Sequence, residues 1–189
     1  FDAALKSAHD RLGLNAVPTQ LPIGQADTFR GIVDLVEGKA FVFSGRGMEE
    51  KSTEAPIPAE MNDKVAAARA RLMEEAATGD EVLMNKFLET GDLTSTEIRK
   101  GLCERVVQGD LAPVFCCSAF HNQGVKEVLD EVVDILPSPL DVRPATGKSP
   151  GGDGEVVCAP DPSQPAAAVV FNTLSEQHLG DLSLVRVYS

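Results

Sequence analysis

The chain has 189 residues, 43% of them hydrophobic, enough for a buried core in one domain or two, and its formal net charge of -12, from 29 acidic against 17 basic residues, disfavours a nucleic-acid backbone and favours a basic partner surface. No apolar run approaches the roughly 20 residues that cross a bilayer, and the opening FDAALKSAHDRLG lacks the basic-then-apolar order of a signal peptide, so no membrane partner and a cytoplasmic location are the default expectation. Cys103, Cys116, Cys117 and Cys158 form neither a C-x-x-C pair nor a secreted-type framework, which reads as reduced thiols.

In chain order, Phe1, Leu5, Ala8 and Leu12 recur at helical spacing, with Gly13 as the C-terminal cap. A pattern that opens in mid-helix points to a piece of something longer. Ala16–Gly24 and Phe29–Phe43 are rich in Val, Ile and Phe and predict two or three strands, with a tight hairpin at Glu37-Gly38-Lys39. Ser44–Pro58 is polar and punctuated by Gly and Pro, and predicts an exposed loop. Three helical faces follow: Met61, Val65, Ala68 and Leu72; Val82, Leu83, Phe87 and Leu88; then Ile98, Leu102 and Val106 behind a Thr94/Glu97 capping box.

APVFCCSA, Ala112–Ala119, is a short continuous apolar run, the signature of a strand buried on both faces of a parallel sheet. Gly124–Leu136 carries Val125, Val128, Leu129, Val132, Val133 and Leu136 on one stripe of an amphipathic helix. Strand, loop and helix make half of a βαβ unit, and ligands in such sheets sit beyond the carboxyl ends of strands, where Ser118–Asn122 fall. Beyond Pro144 a Gly/Pro-rich connector holds one short strand at Glu155–Cys158. Two strand-like runs, AAAVVFNTL and DLSLVRVYS, joined by SEQHLG, then close the chain as the opening of an all-β domain.

The residues offer no self-sufficient active site. Cys116 and Cys117 are adjacent on a strand and face opposite ways, which leaves no metal constellation. Ser118 and His121 are a nucleophile and base in principle, but no G-x-S-x-G elbow and no third residue accompany them. Consecutive carboxylates such as Glu74 and Glu75 splay apart on a helix and suit a solvated face better than acid–base work. No G-x-x-x-x-G-K-[ST] loop occurs to cradle a triphosphate. Catalytic residues and metal ligands are therefore expected to be none.

RLGLNAVPTQLPIGQADTFRGIVDLVEGKAF (Arg11–Phe41), CCSAFHNQGVKEVLDEVVDILPSPLDVRP (Cys116–Pro144) and LGDLSLVRVYS (Leu179–Ser189) together closely resemble bacterial elongation factor G, the translocation GTPase of the ribosome. The resemblance is weakest through Ser44–Pro58 and Thr146–Pro165. It implies an α/β (α+β) fold: a fragment of a P-loop GTPase domain with an inserted α/β subdomain, followed by the first strands of an antiparallel β-barrel. On that reading residues 1–12 are a GTPase-domain helix and 13–110 the insert called G′. Residues 111–142 are the last strand and helix of the GTPase domain, 143–165 a linker, and 166–189 the start of domain II.

By the same resemblance Ser118, Ala119 and Phe120 fall on the S-A-x loop that touches the guanine base, a backbone N–H donating to guanine O6. GTP or GDP with Mg2+ belongs to the parent; the phosphate-binding loop, switch segments and N-K-x-D motif are expected upstream of Phe1, so the piece alone is expected to bind no nucleotide tightly. The partners implied are the ribosome, its tRNA–mRNA complex and the basic stalk protein. The last would meet acidic residues on the helix Ala59–Ala77 and just past it: Glu74, Glu75, Asp80 and Glu81, interrupted by Arg69 and Arg71. Asp181 departs from the common pattern and keeps open a paralogue acting in ribosome recycling, while LPSPLDVRP disfavours a ribosomal-protection or release factor. A non-catalytic module that only binds the stalk is the alternative from another class.

Overall fold

The computed structural model describes residues 1–45, 47–149, 152, 154–176, 178 and 180–189. The chain forms two compact units, Phe1–Leu136 and Pro137–Ser189.

The first unit opens with α1 (Asp2–Leu12), closed as expected by Gly13, whose N–H donates to His9 O. β1 (Ala16–Pro18) leads into a four-stranded antiparallel sheet in sequential order: β2 (Gln20–Ile23), β3 (Gly31–Asp34), β4 (Lys39–Ser44) and β5 (Lys51–Ala55). Two expectations change here. The hairpin turn starts earlier than Glu37-Gly38-Lys39, because Asp34 Oδ1 accepts from the N–H groups of Val36 (2.8 Å) and Glu37 (2.9 Å) and bends the chain directly after β3. Leu35 and Val36 thus leave the strand yet remain fully buried, and Arg69 Nη1 donates to both their carbonyls. The polar segment Ser44–Pro58 is not wholly loop: β5 pairs with β4, Phe43 opposite Ser52 and Phe41 opposite Glu54. As an edge strand with side chains open to solvent, β5 takes the Lys, Ser and Glu that made it read as loop.

Three helices follow: α2 (Asn62–Ala77), α3 (Glu81–Thr90) and α4 (Ser95–Gln108). The Thr94/Glu97 capping box forms, Glu97 N–H donating to Thr94 Oγ1 (3.3 Å) and Thr94 N–H to Glu97 Oε2 (2.9 Å). Lys86 Nζ adds 2.7 Å bonds to the Glu97 carboxylate, and these hold its pKa down to about 2. Val65, Leu72, Leu83, Ile98 and Leu102 join Leu21, Val33 and Leu35 in one core. Val82 and Leu88, expected on the buried face of α3, are exposed; the helix sinks Leu83 and, in part, Met84 and Phe87, and the other two flank that stripe.

β6 (Ala112–Val114) pairs in parallel with β1, Ala16 opposite Ala112. The parallel pairing is as expected, but the strand is three residues long and only partly buried, since among the described residues β1 is its one neighbour. α5 (Val125–Ile135) follows, and its buried residues are Glu131 and Ile135 rather than the valine stripe. Leu129 is 60% and Val133 81% exposed.

The second unit contains two antiparallel ladders among its described residues. β7 (Ala145–Lys148) pairs with β8 (Glu155–Cys158), so the connector holds two strands where one was expected. β9 (Ala168–Glu176) pairs with β10 (Gly180–Val187), with a register shift between Leu184 and Val185. Pro150, Gly151 and Asp153 of the connector and Gln177 and Leu179 of SEQHLG lie outside the described residues, as does Arg46 in the segment between β4 and β5. The ladders are open, and the fold is mixed α/β as expected. No helix among the described residues is long and apolar enough to cross a membrane.

Candidate functional site

The segment after β6 is built as a closed loop. Cys116 N–H donates to Oε1 of the buried Gln20 at 3.0 Å, and burial pushes the Cys116 thiol up to about 12, so it stays protonated and packs as an apolar group. Cys117 is exposed and borders the same cleft as Cys116; both lie past the end of β6, so the expected strand alternation does not apply to them. Ser118 and Gln123 then bridge: Ser118 N–H donates to Gln123 O at 2.8 Å and Gln123 N–H to Ser118 O at 3.1 Å. Ala119–His121 make one 3-10 turn inside that bridge, and Asn122 (φ 57°) and Gly124 (φ 74°) turn the chain into α5. Glycine is required at 124 on two counts. Its φ lies in the left-handed region, and a Cβ would sit 2.9 Å from Cys116 O and 3.2 Å from the Phe43 ring. Side-chain amides of Asn122 and Gln123 donate to Gly47 O (2.9 Å) and Gly45 O (3.2 Å), which ties the loop to the β4–β5 connection.

These bonds decide which backbone groups of Ser118-Ala119-Phe120 are available. The Ser118 N–H is taken by Gln123. The Ala119 and Phe120 N–H groups begin the turn and have no acceptor within it. Phe120 is 93% exposed, its ring edge-on to His121 with centroids 5.2 Å apart. Ser118 Oγ and His121 Nδ1 lie 3.1 Å apart, a contact that fixes the turn.

Beside the loop lies a cleft of about 460 Å3. Phe1, Phe29, Phe115 and Cys116 give it apolar lining; Gln25, Asp27, Ser118 and His121 give it polar groups. Ser118 thus borders the cleft, while Ala119 and Phe120 lie next to it in sequence without lining it. Gln25 and Asp27 were not singled out by the sequence, and nothing in their local pattern marks them: the 3-10 turn Ala26–Thr28 brings them to the cleft.

The four acidic residues at the end of α2 and the start of α3 separate into two kinds. Glu75 Oε2 accepts from Arg105 Nη1 at 2.9 Å and from Asn15 Nδ2 at 3.0 Å. Asp80 caps α3 by accepting from Val82 N–H (2.8 Å) and Leu83 N–H (3.2 Å) and pairs with Lys100 Nζ at 2.6 Å. That lysine bond, with the two backbone bonds, holds the Asp80 carboxyl below its ordinary value. Glu74 and Glu81 are exposed. Arg69 is committed to the carbonyls of Leu35 and Val36.

No protein-family model matches the chain. Elongation factor G of Mycoplasma pneumoniae is 43% identical over 190 residues, which cover 100% of this chain and 27% of that protein. A crystal structure of a Thermus thermophilus protein shares the fold with a TM-score of 0.72 at 26% identity, covering 99% of this chain and 25% of that one. The chain spans about a quarter of the length of these proteins. With that identity sustained along all of its residues, the chain is a relative of elongation factor G, corresponding to one segment of it.

Proposed function

We propose that the chain is a segment of a ribosomal GTPase that uses GTP hydrolysis to move tRNA and messenger, and that Ser118-Ala119-Phe120 is its guanine-base loop. The observation that carries this is the pair of N–H groups on Ala119 and Phe120 that the turn leaves without acceptors, in a chain that matches elongation factor G along its whole length. A guanine O6 accepts from such donors, whereas the adenine amino group at that position is itself a donor. In this reading residues 13–110 are an insert in the GTPase domain, 111–142 return to that domain, 143–165 link, and 166–189 open a β-barrel domain. The exposed stripe of α5, Leu129 and Val133 included, supports it, since it is the face that the remainder of a GTPase domain would cover. GTP or GDP with Mg2+ is the parent's ligand, and its phosphates need a loop of the G-x-x-x-x-G-K-[ST] kind, which these 189 residues do not contain. Titration of the isolated chain with a fluorescent GDP should therefore give no saturation in the micromolar range; a micromolar Kd would overturn this division of labour.

A second role in the same protein, docking of a basic ribosomal stalk protein, is favoured by the exposed carboxylates of Glu74 and Glu81. Glu75 and Asp80 would contribute less, because their charges are already neutralised by Arg105 and Lys100. Charge reversal of Glu74 and Glu81 together is expected to slow association with the stalk protein by about threefold to tenfold at low salt, with little change in dissociation. An unchanged association rate in stopped-flow would make both residues merely solvated.

A further inference from the structure

The unit Phe1–Leu136 holds another cleft, of about 430 Å3, lined by residues of β2–β5, of the segment just before β5, and of α4 and α5. Six carboxylates line it, from Asp34, Glu50, Glu127, Asp130, Glu131 and Asp134, against two cations, Arg99 and Lys126. Both cations are already engaged: Arg99 Nη1 with Glu37 at 2.8 Å and Nε with Asp134 at 3.2 Å, Lys126 with Asp130 at 3.0 Å. Asp34 gives one oxygen to the turn after β3. Glu131 is different. The residue is 6% exposed, it lines the cleft, and its Oε2 has no hydrogen-bond partner. Glu127 Oε2, Glu50 Oε1 and Ser52 Oγ on the same cleft are likewise enclosed and without partners, against one enclosed donor, Arg99 Nε, which makes its ion pair with Asp134 without a hydrogen bond. Enclosed acceptors without donors are unfavourable, and three carboxylates and a hydroxyl in one cleft form a surface that a donor-only ligand would satisfy.

We propose that this cleft binds a cationic head group on an aliphatic stem, a guanidinium or ammonium that donates to Glu131, Glu127, Glu50 and Ser52 while its stem lies along Phe41. Arginine and lysine side chains and polyamines share that chemistry: donors only, positive charge and an apolar stem. Phe41, which lines the cleft, offers the apolar and aromatic surface the stem and cation favour. A bare divalent ion fits less well. Among the described residues no three His, Cys, Asp or Glu converge in ligating geometry, and the volume far exceeds one ion. The site lies on elements other than those carrying Glu74 and Glu81, and does not depend on the guanine-loop reading.

The test is an NMR titration of the 189-residue chain with N-acetylargininamide and, separately, with spermidine, each at pH 6 and pH 8. The guanidinium stays charged at both pH values, so any change in its affinity belongs to the protein. Saturable shifts are expected at Phe41, Ser52 and Glu127, with about tenfold tighter argininamide binding at pH 8, as Glu131, raised to about 7 by burial and by the neighbouring Asp34, gives up its proton. Arg99 opposes that rise, while Asp134 and Glu37 add to it. Glu131→Gln should weaken binding and flatten the pH dependence; should that variant fail to fold, Glu127→Gln should weaken binding in the same assay. Argininamide binding assigns the site to a partner's side chain, and saturation by spermidine alone, tighter at pH 8, assigns it to a free polyamine. Absence of saturable shifts with both probes overturns the proposal, as does equal affinity at pH 6 and pH 8, or a Glu127→Gln chain that binds as well as the unaltered one.

Discussion

Replacing Gly101 by alanine should destabilise the first unit by about 3 kcal/mol or more, although the same change in an exposed helix would stabilise by about 1 kcal/mol. Gly101 is buried in α4 where α4 packs against α2, and its missing Cβ would overlap the carbonyl oxygen of Ala76 and lie 2.8 Å from the carbonyl carbon. The obstructing atoms are main chain within a helix, so no rotamer change removes them; the helices must separate, and Ile98, Leu102 and Leu72 lose their packing together. The steric term therefore outweighs the gain in helix propensity. Ala76→Gly should not rescue the variant, because the overlapped atoms are those glycine keeps. Urea unfolding of the single and double variants reads both; a Gly101→Ala midpoint equal to or above the unaltered chain's would contradict the close approach.

Glu131 should make the first unit less stable as pH rises from about 4.5 to neutrality. Burial, with Asp34 next in effect, raises its carboxyl from 4.5 to about 7, so the folded chain binds this proton more tightly than the unfolded chain does. Stability from this group is therefore fullest below about pH 4.5, falls between there and about pH 7, and is constant above. The expected loss is on the order of 3 kcal/mol. Asp34 is raised too, chiefly by burial, and Asp80 and Glu97 are lowered, so the whole-chain profile mixes signs. The difference between the chain and Glu131→Gln isolates the one residue. That variant should be more stable at pH 8 and nearly equal at pH 4.5, in denaturant melts at each pH. A difference that did not change with pH would place Glu131 in an ordinary, solvated setting.

Much of the fold was legible because local chemistry and tertiary packing agreed. The Thr94/Glu97 box, Gly13 after α1 and the helices themselves rest on contacts within a few residues, and each formed, although α3 turns Val82 and Leu88 of its expected face to solvent. The departures arise where a distant residue decides. β5 reads as loop until its pairing with β4 makes it an edge strand, and the turn after β3 moves because Asp34 caps it and Arg69 holds its carbonyls. The face that α5 buries here is set by Glu131 and Ile135, against the valine periodicity, since that stripe is not covered within the unit. At the candidate loop, the segment Ser118-Ala119-Phe120 was visible through resemblance. Which of its N–H groups are available was not, because the Ser118–Gln123 bridge is a property of the folded backbone. Of the four acidic candidates, Glu75 and Asp80 looked equivalent to their neighbours until Arg105, Asn15 and Lys100 were seen to hold them.

The most direct measurement of the guanine-loop reading is GDP affinity in the longer GTPase of which we propose this chain to be a segment, with and without Ala119→Pro. Proline removes the Ala119 N–H and nothing else the loop uses: it stands at the first position of the turn, where proline is accepted, and Ser118 before it is already extended at φ -116° and ψ 93°. Losing one donor to guanine O6 should raise the GDP Kd about tenfold, with the melting temperature nearly unchanged. A GDP Kd unaltered by the proline, in a protein that remains folded, would contradict the assignment of this loop to the guanine base.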